Sequence, residues 1–254
     1  MKSIHVPLLS TLLWGGFLFW SACALVVIPF HLGSLQITEG LGESSLARTL
    51  LLLSLHFDTL WFLLAAANGY LFIVEREGLA MARRRALTLL GGVTALVLLG
   101  ATTGVPFGPY VYSERLGTRL LGILPGAVPF LWFTLLLGSA YTARALAGGN
   151  ARAGILLTGL LTLLADLNLE PVAWRIRYYW FWYWGEATPP AWPPFANFMS
   201  WLGVGLFCGI LFYRKMPPPG PALRLSARPV LAFAAINAVF LLAHMARAAG
   251  WVWK

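Results

Sequence analysis

Residues 152–174, RAGILLTGLLTLLADLNLEPVAW, decide how this chain must fold. The run is long enough to cross a bilayer as a helix, which takes about 20 apolar residues. Yet it carries two acids, Asp166 and Glu170, near its far end. Similar apolar runs recur through all 254 residues, which are 59% hydrophobic and only 11% charged. Hydrocarbon offers no partner to a backbone amide, and continuous apolar runs suit helices rather than the short alternating strands of a barrel. The composition predicts an all-α fold: a polytopic membrane helix bundle of about seven transmembrane helices, forming a single integral membrane domain over 1–254.

The seven spans are expected at 5–32, 47–74, 85–104, 124–146, 152–172, 196–213 and 228–250. The first has the look of a secretory signal, because Lys2 precedes an apolar core and Ser21-Ala-Cys-Ala24 follows. Apolar residues run on well past that point, which argues for a span instead. No internal repeat stands out, and Met216-Pro-Pro-Pro-Gly-Pro221 reads as a stiff spacer. Cys23 and Cys208, the only two cysteines, both lie in apolar runs and read as packing residues. His31, His56 and His244 lack the spacing of a membrane metal centre, so no metal is expected.

The net charge of +9 does not point to nucleic acid, because the basic residues lie in short linkers between spans. Eleven of the 18 Lys and Arg fall on one side, including the cluster Arg83-Arg84-Arg85, which places the amino terminus in the cytoplasm. The linkers on that side are short and chemically bland. The opposite side carries Gly104–Gly117, GVPFGPYVYSERLG, and Trp174–Asn197, WRIRYYWFWYWGEATPPAWPPFAN. Gly104, Pro106, Gly108 and Pro109 forbid helix in the first of these, and irregular backbone near a membrane is tolerated where it packs on protein or lines a cavity. Chemistry is expected on that face.

Carboxylates at bilayer depth are the informative residues, because each costs several kcal/mol unless paired, hydrated or protonated. Asp166 and Glu170 stand four apart and share one helix face, with Pro171 weakening the helix just beyond. One reading is an acid and base pair; the other is an ion pair of either acid with Arg175 or Arg177. Asp58, in LSLHFDTLW, reads either as a buried hydrogen-bonding group or as a pocket residue. The dense aromatics of Tyr178–Trp184 suit an interfacial belt, a wall for a long polyene, or π faces for a cation. A covalently bound retinal is excluded, since Lys2, Lys215 and Lys254 all lie at ends or linkers.

TTGVPFGPYVYSERLG, LLGILPGAVPFLWF, DLNLEPVAW, YWFWYWGE and NFMSWLGVG, in that order over about Gly100 to Gly205, resemble the membrane carotenoid hydratase family of bacteria and archaea. The chain departs from that family's pattern at Glu170-Pro171, where Asp-Pro is usual, and around Val97, where an acid is common. The resemblance implies a multi-pass enzyme of the cell membrane that adds water to the terminal double bond of an acyclic carotenoid end, without a cofactor. It implies Asp166, Glu170 and Asp58 as catalytic residues. It implies Phe107, Tyr110, Tyr112, Trp180, Trp182, Trp184, Asn197 and Trp201 as substrate contacts. The implied partners are a carotenoid or other isoprenoid substrate, water, membrane lipid and other carotenoid-pathway enzymes. The alternatives are an isoprenoid cyclase or isomerase, or a non-catalytic carotenoid- or lipid-binding membrane protein.

Overall fold

The computed structural model describes residues 5–28, 44–183, 192–212 and 227–250. Eight helices dominate them: α1 (His5–Val27), α2 (Ser45–Leu55), α3 (Phe57–Glu77), α4 (Leu79–Thr103), α5 (Ala127–Leu146), α6 (Ala151–Arg175), α7 (Phe195–Phe212) and α8 (Arg228–Ala248). Four short strands join them: β1 (Tyr110–Tyr112), β2 (Arg119–Leu120), β3 (Leu124–Pro125) and β4 (Trp180–Trp182). The all-α membrane bundle is as the composition demands. Six of the helices, α1, α3, α4, α6, α7 and α8, are long and apolar enough to cross a membrane. The seventh expected span, α5, is buried along nearly its whole length and packs against α3, α4, α6, α7 and α8.

The span expected from 85 begins at Leu79, and two further boundaries shift for local reasons. The span drawn over 47–74 breaks at His56, which leaves helical geometry and separates α2 from α3. The span drawn from 124 begins at Ala127, because Leu124 and Pro125 pair with Arg119 and Leu120 as a small hairpin. Pro171 does not end α6, which runs on to Arg175. Between α3 and α4 the chain reverses at one residue, Gly78, whose φ of 86° is open to glycine and strained for other residues. At the other end of α4, Gly104 closes the helix in the left-handed conformation and donates its N–H to the Gly100 carbonyl at 2.8 Å.

Arg85, expected in a cytoplasmic linker, is instead buried within the bundle. It pairs with Glu77 at 2.6 Å, while Tyr141 donates to Glu77 at 2.8 Å and joins α5 to the same cluster. Arg144 is also buried. Two charges counted as headgroup arginines therefore lie in the interior, and Arg85 does so because its side chain reaches a carboxyl and a hydroxyl group on neighbouring helices rather than water.

Small residues bring α6 and α7 into close contact. A Cβ on Gly205 would lie 2.6 Å from Thr162 Oγ1 and 2.9 Å from Gly159 Cα, and one on Gly209 would lie 3.0 Å from Ile155 Cα. Membrane helices associate through such close backbone approach, because lipid is as apolar as the side chains it would displace. Gly203, two residues before Gly205, points away from α6, and a Cβ there would meet nothing within 4 Å. Substituting Gly205→Ala should therefore lower stability by about 1–3 kcal/mol through overpacking. Gly203→Ala should leave stability unchanged or slightly raised. Thermal unfolding of the detergent-solubilised protein checks both signs.

Candidate functional site

The two motif-bearing linkers meet at one end of the bundle. β1 and β4 form an antiparallel ribbon in which Tyr110 faces Trp182 and Tyr112 faces Trp180. Side chains alternate across a strand, so YVY and WFW each turn two rings inward and the middle residue outward. Tyr110, Tyr112, Trp180 and Trp182 are buried, whereas Val111 and Phe181 are exposed. Backbone bonds from Ser113 N to the Tyr179 carbonyl and from Tyr183 N to the Pro109 carbonyl extend the pairing beyond both strands. Tyr178, at φ 56°, turns the chain from the end of α6 into β4.

Beneath the ribbon lies a cavity of about 30 Å³. Space of that size holds one or two waters. Its walls are Val97 of α4, Phe107, the four inward rings of the ribbon, Val128, Leu131 and Trp132 of α5, Leu169 and Glu170 of α6, and Asn197 and Trp201 of α7. Glu170 is the acidic residue among these walls. Asp166 is fully buried one helical turn behind it.

Three side chains from two segments donate to the pair. The Asn197 amide, in the first turn of α7, donates one bond to Asp166 Oδ2 at 2.9 Å and one to Glu170 Oε1 at 3.0 Å. Trp182 and Trp180 donate their indole N–H groups to Glu170 Oε2 at 3.0 and 3.3 Å. Burying a carboxylate costs far more than any single contact returns unless such donors replace water. Asp166 Oδ1 accepts no hydrogen bond among the described groups. Burial pushes the Tyr110 phenol up to about 12, and burial together with Tyr110 and Glu170 raises Tyr112 as well. Both therefore stay neutral O–H groups near neutral pH, and Tyr110 donates to the Val97 carbonyl at 3.2 Å.

Of the residues expected at a site, the structure brings Phe107, Tyr110, Tyr112, Glu170, Trp180, Trp182, Asn197 and Trp201 around one cavity, with Asp166 behind. Trp184 lies outside the described residues, as do His31 and the Met216–Pro221 spacer. Asp58 stands apart, in an ion pair with Arg177 at 2.6 Å. Burial works against the charge on Arg177, but Asp58 outweighs it and raises the guanidinium's pKa. The ion pairs among the described residues do not join Arg177 to the α6 acids, and Arg175 lies over Trp174 at 4.3 Å and Trp192 at 5.3 Å. Trp132 was not singled out from sequence. It stacks on Trp201 with ring centroids 3.7 Å apart, and its place in the PFLWF motif was the available signal.

The family described as carotenoid biosynthesis protein matches residues 57–253, which include every side chain of this cavity. The chain belongs to that family. This carotenoid biosynthesis protein is also 34% identical, over 162 residues, to the bisanhydrobacterioruberin hydratase of Haloarcula japonica. That match takes in 61% of this chain and 52% of the relative, so the chain spans about half the length of the curated relative it matches. No solved structure matches it.

If Asp58 serves the fold by neutralising Arg177, Asp58→Ala should cost about 3–5 kcal/mol by leaving a buried guanidinium unpaired. Removing both charges in Asp58→Ala/Arg177→Met should recover much of that loss. Thermal unfolding of the three proteins in detergent measures it.

Proposed function

We propose that this chain is a carotenoid-modifying membrane enzyme that adds water to the terminal trisubstituted double bond of an acyclic carotenoid end, giving a tertiary alcohol. The observation that carries the reading is the position of Glu170: a buried carboxyl on the wall of a small aromatic cavity with room for water. The hydratase name of the 34% identical relative supports it.

In this scheme the Asp166–Glu170 pair holds one proton. Glu170, which reaches the cavity, gives that proton to the less substituted alkene carbon, and the π electrons of the double bond form the new C–H bond. The neighbouring carbon becomes a tertiary cation. The inward faces of Trp180, Trp182, Tyr110 and Tyr112 favour a cation there through their ring quadrupoles. Water held in the cavity attacks the cation, and its surplus proton returns to Glu170, so the carboxyl is regenerated and no cofactor is consumed. Asp166 acts through the Asn197 amide, which it shares with Glu170, by positioning the Glu170 carboxyl. Asp58, locked to Arg177, supports the ribbon end without touching substrate. With the basic cluster at the opposite end in the cytoplasm, the ribbon lies at the outer interface, where water meets the end of a membrane-spanning polyene.

Expression in a bacterium that makes lycopene or γ-carotene tests the reading by pigment mass. The wild-type chain should yield a product heavier by one water per modified end, and Glu170→Gln should lower that yield about 100-fold or more. A ring or a shifted double bond at unchanged mass would instead identify a cyclase or isomerase. Pigment bound but unaltered by the wild type would identify a carrier.

A further inference from the structure

The cavity at Glu170 admits water but not a long apolar chain, so the rest of a polyene must lie elsewhere. A much larger cavity, about 500 Å³, adjoins it along the bundle. Its walls are mainly Leu89, Val93 and Leu96 of α4, Leu136 of α5, and Val204 and Phe207 of α7. These positions continue the walls of the Glu170 cavity one turn further along the same three helices: Val93 follows Val97, Leu136 follows Trp132, and Val204 follows Trp201. The groove exists because α4 and α7 each lean on α5, yet do not pack along one another among the described residues. Phe207 is 61% exposed, so the groove opens sideways toward whatever surrounds the bundle.

We infer that this groove holds the polyene chain of the substrate, with the stacked Trp132–Trp201 pair as the partition that the reactive end must pass to reach Glu170. The inference rests on the proposed carotenoid chemistry and adds where the chain lies and how it arrives: from the bilayer, through the side of the bundle, and not through the ribbon. The two rings meet at 3.7 Å and 18°; both line the space that fits water, and the next turns of their helices, at Leu136 and Val204, line the one that fits a chain. A chain in the groove would present only its end to the carboxyl, so attack would be confined to the terminal double bond.

Two glycines allow the groove to be filled without disturbing the protein. A Cβ on Gly92 of α4 or Gly203 of α7 meets nothing within 4 Å, and both residues line the groove. Gly91 is equally open but does not line it. Gly203→Trp and Gly92→Phe should each cut hydrated product about ten-fold or more in the carotenoid-producing bacterium, since each displaces several methylene-sized contacts of the chain. Gly91→Phe should match the wild type. A second measurement separates binding from turnover: Glu170→Gln purified in mild detergent should retain unmodified carotenoid, and Glu170→Gln/Gly203→Trp should lose it, with the amount of folded protein checked by size-exclusion elution. Wild-type activity with undiminished product from both groove variants would overturn the inference while leaving the hydratase reading intact. So would membrane phospholipid, in place of carotenoid, extracted from Glu170→Gln. Failure of the wild type itself to add water would instead overturn the chemistry on which the inference rests.

Discussion

Two carboxyl groups stacked on one face of an apolar helix are the constraint around which this end of the molecule is arranged. Bulk water does not reach Asp166 and Glu170, so N–H donors must stand in for most of their hydration, and α6 itself has none to spare at those positions. The donors come from elsewhere in the chain: the Asn197 amide from α7 and the Trp180 and Trp182 indoles from β4. Each donor has to be delivered to within about 3 Å, and the delivery explains much of the surrounding architecture.

Asn197 reaches both acids because α6 and α7 approach closely enough for Gly205 and Gly209 to meet the backbone and short side chains of α6. A bulkier pair of faces would separate the helices and pull the amide from one carboxyl or the other. The two tryptophans reach Glu170 because β4 is paired in register with β1, which sets both inward rings over the cavity. β1 is in turn tied to the bundle by Tyr110 on the Val97 carbonyl and by Ser200, on α7, donating to the Pro106 carbonyl at 3.0 Å. The ribbon, the helix pair and the acids therefore specify one another. Arg177, three residues before Trp180, is paired with Asp58, which takes up one of the two guanidiniums that could otherwise have turned the α6 acids into an ordinary ion pair. That separation of roles leaves Glu170 hydrogen-bonded by neutral donors alone among the described residues, which is the condition for a carboxyl to exchange a proton with a substrate rather than to serve as a fixed counter-ion.

Much of this was readable in the order of residues. Hydrophobic runs of bilayer length announce the helices, and a spacing of four puts Asp166 and Glu170 on one face. Gly and Pro in GVPFGPYVYSERLG rule out helix there, whereas the pairing of YVY with WFW as strands was not read from sequence, since both are apolar throughout and show no alternation of polar and apolar residues. Less was readable for the charges. Arg85 and Arg144 count as linker residues by position, yet both are buried; for Arg85 the reason is that α4 begins six residues earlier than hydropathy suggests and brings Glu77 and Tyr141 within reach.

What the amino-acid order determined alone is whatever repeats along the chain: which segments are helices, which face of α6 is acidic, and where the backbone must turn. What only the tertiary structure decided is which groups meet across it. Asp58 and Arg177 are 119 positions apart, and Asn197 joins acids 31 and 27 positions before it. Local periodicity encodes the direction in which a side chain points from its own helix, but the choice of partner depends on how closely two helices approach and at what level. Those are properties of packing that no single segment contains.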